Sequence, residues 1–127
     1  RFIFVHQYRP GIARTCYELC AGVCETEDAS PLVSAQRELL EETGYGNGNW
    51  QEYMALSPNP STHTNVTYCF LATDVEPIAA QHLEDTEDLT VHLLTLEEVK
   101  QLLLNNEIMQ SLHAAPLWRY MAEKRLI

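Results

Sequence analysis

Residues 30–44 read Ser-Pro-Leu-Val-Ser-Ala-Gln-Arg-Glu-Leu-Leu-Glu-Glu-Thr-Gly, and this stretch carries signals for both ends of a helix. Ser30 is placed to cap the first turn, Pro31 fits the first helical position, and Gly44 supplies the residue that tolerates a left-handed conformation at the end. The helix is therefore expected from Pro31 to about Thr43. Leu32, Ala35, Leu39 and Thr43 fall on one arc and form an apolar stripe that has to lie against something, most economically a sheet. At about 100° per residue, Glu38, Glu41 and Glu42 fall within about 100° of one another on the neighbouring side. An amphipathic helix with three carboxylates together on its polar side limits what the rest of the chain is free to be.

Strand signals surround that helix. Phe2 to Tyr8 is an apolar and aromatic run, Arg9-Pro10-Gly11 a turn, and Thr15 to Leu19 a second strand that ends at Ala21-Gly22. An acidic loop from Glu25 to Ser30 leads into the helix. Beyond Gly44, the Gly46–Asn49 turn precedes a strand from Trp50 to Leu56, and Ser57-Pro58-Asn59-Pro60-Ser61 cannot continue a sheet ladder. Thr64 to Thr73 is β-rich, and Leu89 to Leu94 is a further strand after the acidic run 84–88. Thr95 and Glu98 have the spacing of a capping box for a helix to about Leu104, and Ser111 is the expected cap of a last helix ending near Lys124. Strands and helices alternate without an internal repeat or linker, which gives one α/β domain over residues 1–127.

A chain of 127 residues has room for a single core. Eight Lys and Arg against eighteen Asp and Glu give a formal charge of −10, which argues against nucleic acid as a partner because such binding relies on basic residues displacing counterions. No apolar run is long enough to span a membrane and the N-terminal residues lack the parts of a secretion signal, so a cytoplasmic location and no membrane partner are expected. Cys16, Cys20 and Cys24 recur every four residues. A zinc or redox site is one reading, but structural zinc normally takes CxxC-like pairs, and an extended segment with even spacing instead puts all three thiols on one buried face. No disulfide is expected in a reducing compartment.

Three carboxylates side by side repel, and on the helix itself only Arg37, four residues before Glu41, is placed to offset one of them. The others call for a cation. Carboxylate oxygens suit a hard divalent ion, Mg²⁺ or Mn²⁺, and Mg²⁺ typically uses one or two protein carboxylates while substrate phosphates and water complete its shell.

Gly22, an acidic loop and Arg37-Glu38-Leu39-Leu40-Glu41-Glu42-Thr43-Gly44-Tyr45 resemble the Nudix box, Gly-x5-Glu-x7-Arg-Glu-U-x-Glu-Glu-x-Gly-U, whose second half is matched at every defined position. The loop holds one residue more than the usual box, so its acidic position falls to Glu27 or is taken by Asp28. His6-Gln7-Tyr8-Arg9, Tyr17-Glu18-Leu19-Cys20-Ala21-Gly22 and Ser57-Pro58-Asn59-Pro60 are similar to the ADP-ribose pyrophosphatase branch of the family, with Cys20 where that branch usually has proline.

This resemblance implies a Nudix-type α/β/α sandwich with a mixed central sheet, and a chain that lacks the N-terminal sheet region through which relatives recognise adenosine and form homodimers. It implies that the Ala21 carbonyl, Glu38, Glu42 and Glu41 hold metal, and that Arg9 meets the substrate diphosphate. Gly22, and His63 in the loop before the Thr64 strand, are further candidates for substrate contact from their positions in the sequence, although a loop histidine is more often plain polar surface. A general base is implied either on the helix, at Glu41, or in a loop before the last strand, where Glu87 and Glu84 are the candidates. The implied reaction is metal-dependent hydrolysis of the diphosphate of a nucleoside diphosphate sugar, foremost ADP-ribose to AMP and ribose 5-phosphate. The alternative is a non-catalytic fold member that binds a nucleotide as a sensor or interaction module.

Overall fold

The computed structural model describes residues 1–83 and 88–126. The chain divides into two compact units, Arg1–Cys20 with Leu83–Ile127, and Ala21–His82.

In the first unit, β1 (Phe2–Arg9) and β2 (Arg14–Glu18) form a hairpin closed by a 3₁₀ turn at Pro10–Ile12. Ala13 leaves that turn with φ 52°, its N–H held by the Pro10 carbonyl at 3.1 Å. β7 (Leu89–Leu94) pairs antiparallel with the other side of β1, giving the order β2-β1-β7. Two helices follow, α2 (Leu96–Leu104) and α3 (Ser111–Glu123). Alternation along the strands sends Phe4 and Leu94 into a core with Val99, Leu103, Ile108, Leu117 and Met121. It sends Val5, Gln7 and Arg9, with their cross-strand partners Glu18, Cys16 and Arg14, to the opposite face.

α2 starts as expected, since Thr95 Oγ1 accepts the Glu98 N–H at 3.2 Å and Glu98 returns the bond to the Thr95 N–H at 3.0 Å. α3 departs from expectation. Ser111 is its first residue rather than its cap, and Gln110 occupies the cap position without a side-chain capping bond; its amide NH₂ donates instead to Glu18 at 2.6 Å.

The second unit contains α1 (Pro31–Thr43), the short pair β3 (Tyr45–Gly46) and β6 (Glu76–Pro77), and the hairpin of β4 (Asn49–Leu56) and β5 (Thr67–Thr73). All four strand pairs among the described residues of the chain are antiparallel, and they form three sheets. α1 lies against β3 and β5, and begins and ends where the local signals placed it. Ser30 Oγ accepts the Val33 N–H at 3.2 Å, and Gly44, at φ 79°, donates its N–H to the Leu40 carbonyl at 2.8 Å. The β-rich run is shorter than its composition implied: β5 begins at Thr67, and 63–66 are not in a strand.

The cysteine expectation fails. β2 stops at Glu18, so the period of two does not extend to the later thiols; Cys16 is buried, Cys20 partly so, and Cys24 exposed. Among the described residues no helix is long and apolar enough to cross a membrane.

Candidate functional site

The last turn of α1, which carries Glu41 and Glu42, has its carbonyls held from outside the helix. The His82 N–H donates to the Glu41 carbonyl at 2.7 Å, and the Gln81 amide to the Glu42 carbonyl at 2.7 Å. Thr43 Oγ1 donates to the Leu39 carbonyl at 2.6 Å and accepts the Tyr45 N–H at 3.1 Å. A helix end normally frays because its final carbonyls lack intrahelical partners. Here those bonds hold the backbone of the acidic turn.

Glu38, Glu41 and Glu42 share a side, and their exposure is graded. Glu42 is 5% exposed, at the border of the buried face that includes Ser34, Leu39 and Thr43. The Glu38 side chain is 18% exposed and that of Glu41 38%. The fourteen residues between Gly22 and Arg37 bring Gly22 back onto the helix, so that a Cβ on Gly22 would overlap the Glu38 carboxyl group. Only glycine leaves room for that approach.

Arg37 reaches much further than its place on the helix indicated. It meets Asp28 through two bonds, Nε to Oδ1 at 3.1 Å and Nη2 to Oδ2 at 3.0 Å. Nη1 contacts Glu38 Oε1 at 3.0 Å, Glu41 Oε2 at 3.2 Å and Glu25 Oε1 at 3.6 Å, while Nη2 also reaches the Val23 carbonyl at 3.3 Å. One guanidinium thus ties the loop to the acidic turn. Asp28 also accepts from Ser34 Oγ at 2.7 Å and from the Glu25 N–H at 2.8 Å. The Arg37 hydrogen bonds, then those from Ser34 and Glu25, hold the Asp28 carboxyl well below the usual carboxylate range. Asp28 in turn keeps Arg37 more firmly protonated than an ordinary arginine. The acidic loop position left open between two residues is therefore occupied by Asp28; Glu27 is exposed and bonded to Thr26 Oγ1 at 3.2 Å. Ser34 is a partner the sequence reading missed, since nothing local ties it to a residue six positions earlier.

The donors fit a hard divalent ion in kind: three carboxylates within one turn and a half, and a glycine pressed flat against one of them. Among the described residues no three His, Cys, Asp or Glu side chains converge as a closed cage. Two-carboxylate binding completed by water and phosphate is the usual habit of Mg²⁺. Ala21, proposed to offer its carbonyl, is exposed beside Gly22.

His63 is exposed in its loop, with Nδ1 2.8 Å from Thr62 Oγ1. Glu84 and Glu87 lie outside the described residues.

Arg9 belongs to the first unit. Its Nε and Nη2 donate to Glu18 Oε2 and Oε1 at 2.8 and 2.6 Å. The Glu18 side chain is 3% exposed against 43% for Arg9. Gln7 at 3.3 Å and Gln110 at 2.6 Å supply two more donors, so Glu18 accepts four hydrogen bonds. Burial opposes ionisation of Glu18, but the hydrogen bonds and charge of Arg9 outweigh it and leave its carboxyl below the ordinary value. His113, buried nearby on α3, accepts the Leu19 N–H on Nδ1 at 3.1 Å, and burial lowers its affinity for a proton. None of this network was foreseen around Arg9.

A family model for the NUDIX domain matches residues 1–115. The chain is 30% identical over 112 residues to an ADP-ribose pyrophosphatase of Mycobacterium tuberculosis, covering 87% of this chain and 54% of that protein. It is 30% identical over 109 residues to an ADP-ribose pyrophosphatase of Bacillus subtilis, covering 85% and 58%. The chain thus spans little more than half the length of these curated relatives. A crystal structure described as an ADP compounds hydrolase superposes with a TM-score of 0.80 at 20% identity, over 96% of this chain and 66% of the other, which establishes the shared fold. The glutamates of α1 with their arginine and glycine, the fold, and the match over most of its length agree: this chain belongs to the NUDIX domain family.

Proposed function

We propose that this domain, residues 1–127, hydrolyses the diphosphate bond of a nucleoside diphosphate derivative, foremost ADP-ribose to AMP and ribose 5-phosphate, in the cytoplasm and as a homodimer. The single observation that carries the reading is the acidic turn of α1, where Glu38, Glu41 and Glu42 share a side and Arg37 and Gly22 press on the same carboxylates. The names of the two pyrophosphatases to which the chain is similar support the substrate class.

In this proposal Glu38 and Glu42, with Glu41 and the Ala21 carbonyl, hold Mg²⁺ or Mn²⁺. A bound divalent ion would polarise the phosphoryl oxygens and ease deprotonation of water. Glu41, Glu87 or Glu84 removes the proton from the attacking water. Arg9 and His63 contact the substrate, and Gly22 leaves backbone room beside Glu38. Arg37 braces the acidic turn through Asp28, so that the carboxylates keep their positions before metal arrives.

The test is AMP release from ADP-ribose, compared with other nucleoside diphosphate sugars and dinucleotides, with Mg²⁺ and with Mn²⁺. Turnover that stops in EDTA and falls by about a hundredfold or more in Glu38→Gln and Glu42→Gln supports the proposal. Nucleotide binding without turnover of any substrate would establish the sensor reading instead. Light scattering of the eluting protein reads the homodimer.

A further inference from the structure

The acidic turn of α1 stands where a helix resists it. A helix C-terminus carries the negative end of the macrodipole, and the last turn of α1 holds no basic residue to offset it. Glu38 also lies three and four residues before Glu41 and Glu42, a spacing at which like charges repel. Left to itself, this turn would be the first part of the helix to fray.

A strap from Ile78 to His82, in the same compact unit, meets it. The Ile78 and Ala79 N–H groups donate to the Gly44 carbonyl at 2.9 and 3.1 Å, and the His82 N–H donates to the Glu41 carbonyl at 2.7 Å. The Gln81 side-chain amide reaches the Glu42 carbonyl at 2.7 Å. Gly44 admits the strap because it has no Cβ, which would run into the Ala79 carbonyl oxygen. Every residue from Ile78 to His82 is exposed, so hydrogen bonds rather than apolar burial locate the strap.

Three of these four donors are backbone groups, which any residue except proline supplies. The fourth depends on which side chain stands at position 81, and an exposed amide could be satisfied by water alone. Its acceptor is the carbonyl of Glu42, a residue 5% exposed. That peptide plane is joined directly to the Glu42 Cα. Holding it fixes the backbone from which the Glu42 side chain departs.

We propose that Gln81 is a positioning residue, which keeps the Glu42 carboxylate in place to receive a divalent ion by holding the Glu42 carbonyl. The bracing of the turn stands on the strap alone. The link to metal rests on the proposed hydrolase function.

The experiment titrates Mn²⁺ into the chain without nucleotide and reads the free ion by electron paramagnetic resonance. Gln81→Met keeps the length of the side chain and removes the donor, and is expected to weaken Mn²⁺ binding by about three- to tenfold, as for loss of one hydrogen bond. Gln81→Lys restores a donor able to reach the last carbonyls of a helix and should bind within about twofold of wild type. Gln101→Met, at a surface glutamine bonded to Glu97 one turn away on α2, should bind as wild type does. In the metal-free chain, hydrogen exchange at the Thr43 and Gly44 amides should quicken by about three- to tenfold in Gln81→Met, with α2 unchanged. With ADP-ribose, Gln81→Met should raise the Mn²⁺ concentration for half-maximal rate, while KM at saturating Mn²⁺ stays within about threefold.

Faster exchange with unchanged Mn²⁺ binding would make Gln81 a cap of the helix and nothing more, and overturns the proposal. So does a Gln81→Met variant that matches wild type in both, a Gln81→Lys variant as weak as Gln81→Met, or an equal loss in Gln101→Met. If the exchange pattern holds but wild type neither binds Mn²⁺ nor hydrolyses any nucleotide, the brace stands and the proposed hydrolase function fails.

Discussion

Glu18→Gln tests how much stability the buried carboxylate supplies. Glutamine keeps the volume, and the side chain it replaces is 3% exposed, so no cavity opens. What changes is the pattern of donors. Both Glu18 oxygens accept from Arg9, one of them also from Gln7 and the other from Gln110. Whichever way the new amide turns, its NH₂ group faces an arginine N–H. Gln7 and Gln110 can reverse their own amides to compensate, but a guanidinium has no acceptor to offer.

The loss is therefore one charge-assisted hydrogen bond, about 1.5–3 kcal/mol, together with the attraction between the charges. Removing one partner of a fully buried pair costs about 3–5 kcal/mol. Arg9 is 43% exposed, so solvent screens part of its charge and the expected value falls to roughly 2–3 kcal/mol. Urea denaturation at neutral pH should show a midpoint lowered by roughly 1–2 M with an unchanged slope.

The dependence on pH provides a second check. The folded carboxyl titrates below its ordinary value of 4.5, so its contribution is complete above that value and is lost as the pH falls through the folded pKa. The gap between wild type and variant should stay constant from about pH 6 to 8 and close in acid. A gap below about 0.5 kcal/mol at neutral pH, or one that persists in acid, would refute the reasoning.

Gly22→Ala should push the Glu38 carboxyl aside and lower kcat/KM by about 10–100-fold with little loss of melting temperature, measured with ADP-ribose as substrate. Asp28→Asn removes the strongest partner of Arg37 and frees it to bind Glu38 and Glu41 more closely, so the Mg²⁺ concentration for half-maximal activity should rise; an unchanged metal requirement would count against Arg37 as the brace. His113 has its proton affinity lowered from 6.5 by burial, so the unfolded chain takes up a proton first and stability should decline as the pH drops below 6.5. His113→Asn keeps an acceptor for the Leu19 N–H but does not titrate, and thermal melts from about pH 5 to 7.5 should show a flatter dependence.

Features set by neighbours along the chain were legible in the sequence. The cap at Ser30, the left-handed exit at Gly44 and the capping box at Thr95 and Glu98 depend on residues within one or two turns, so α1 and α2 begin where the spelling placed them. The shared side of Glu38, Glu41 and Glu42 follows from helical period alone. Boundaries set by the partner strand were less legible: β2 ends at Glu18 and β5 begins at Thr67, which undid the common face of the cysteines and shortened the β-rich run.

The sequence by itself determined the helix with its carboxylates and the class of cation they suit, because helical period and carboxylate chemistry are local properties. Which loop acid faces Arg37, that Gln110 and not Ser111 stands at the cap position of α3, and where Arg9 finds its partner were decided only by tertiary structure. Asp28 and Glu27 are equally acidic in a linear text. Only the closure of the loop against the helix, through one guanidinium, separates them, just as only the approach of α3 brings Gln110 to a glutamate 92 residues earlier.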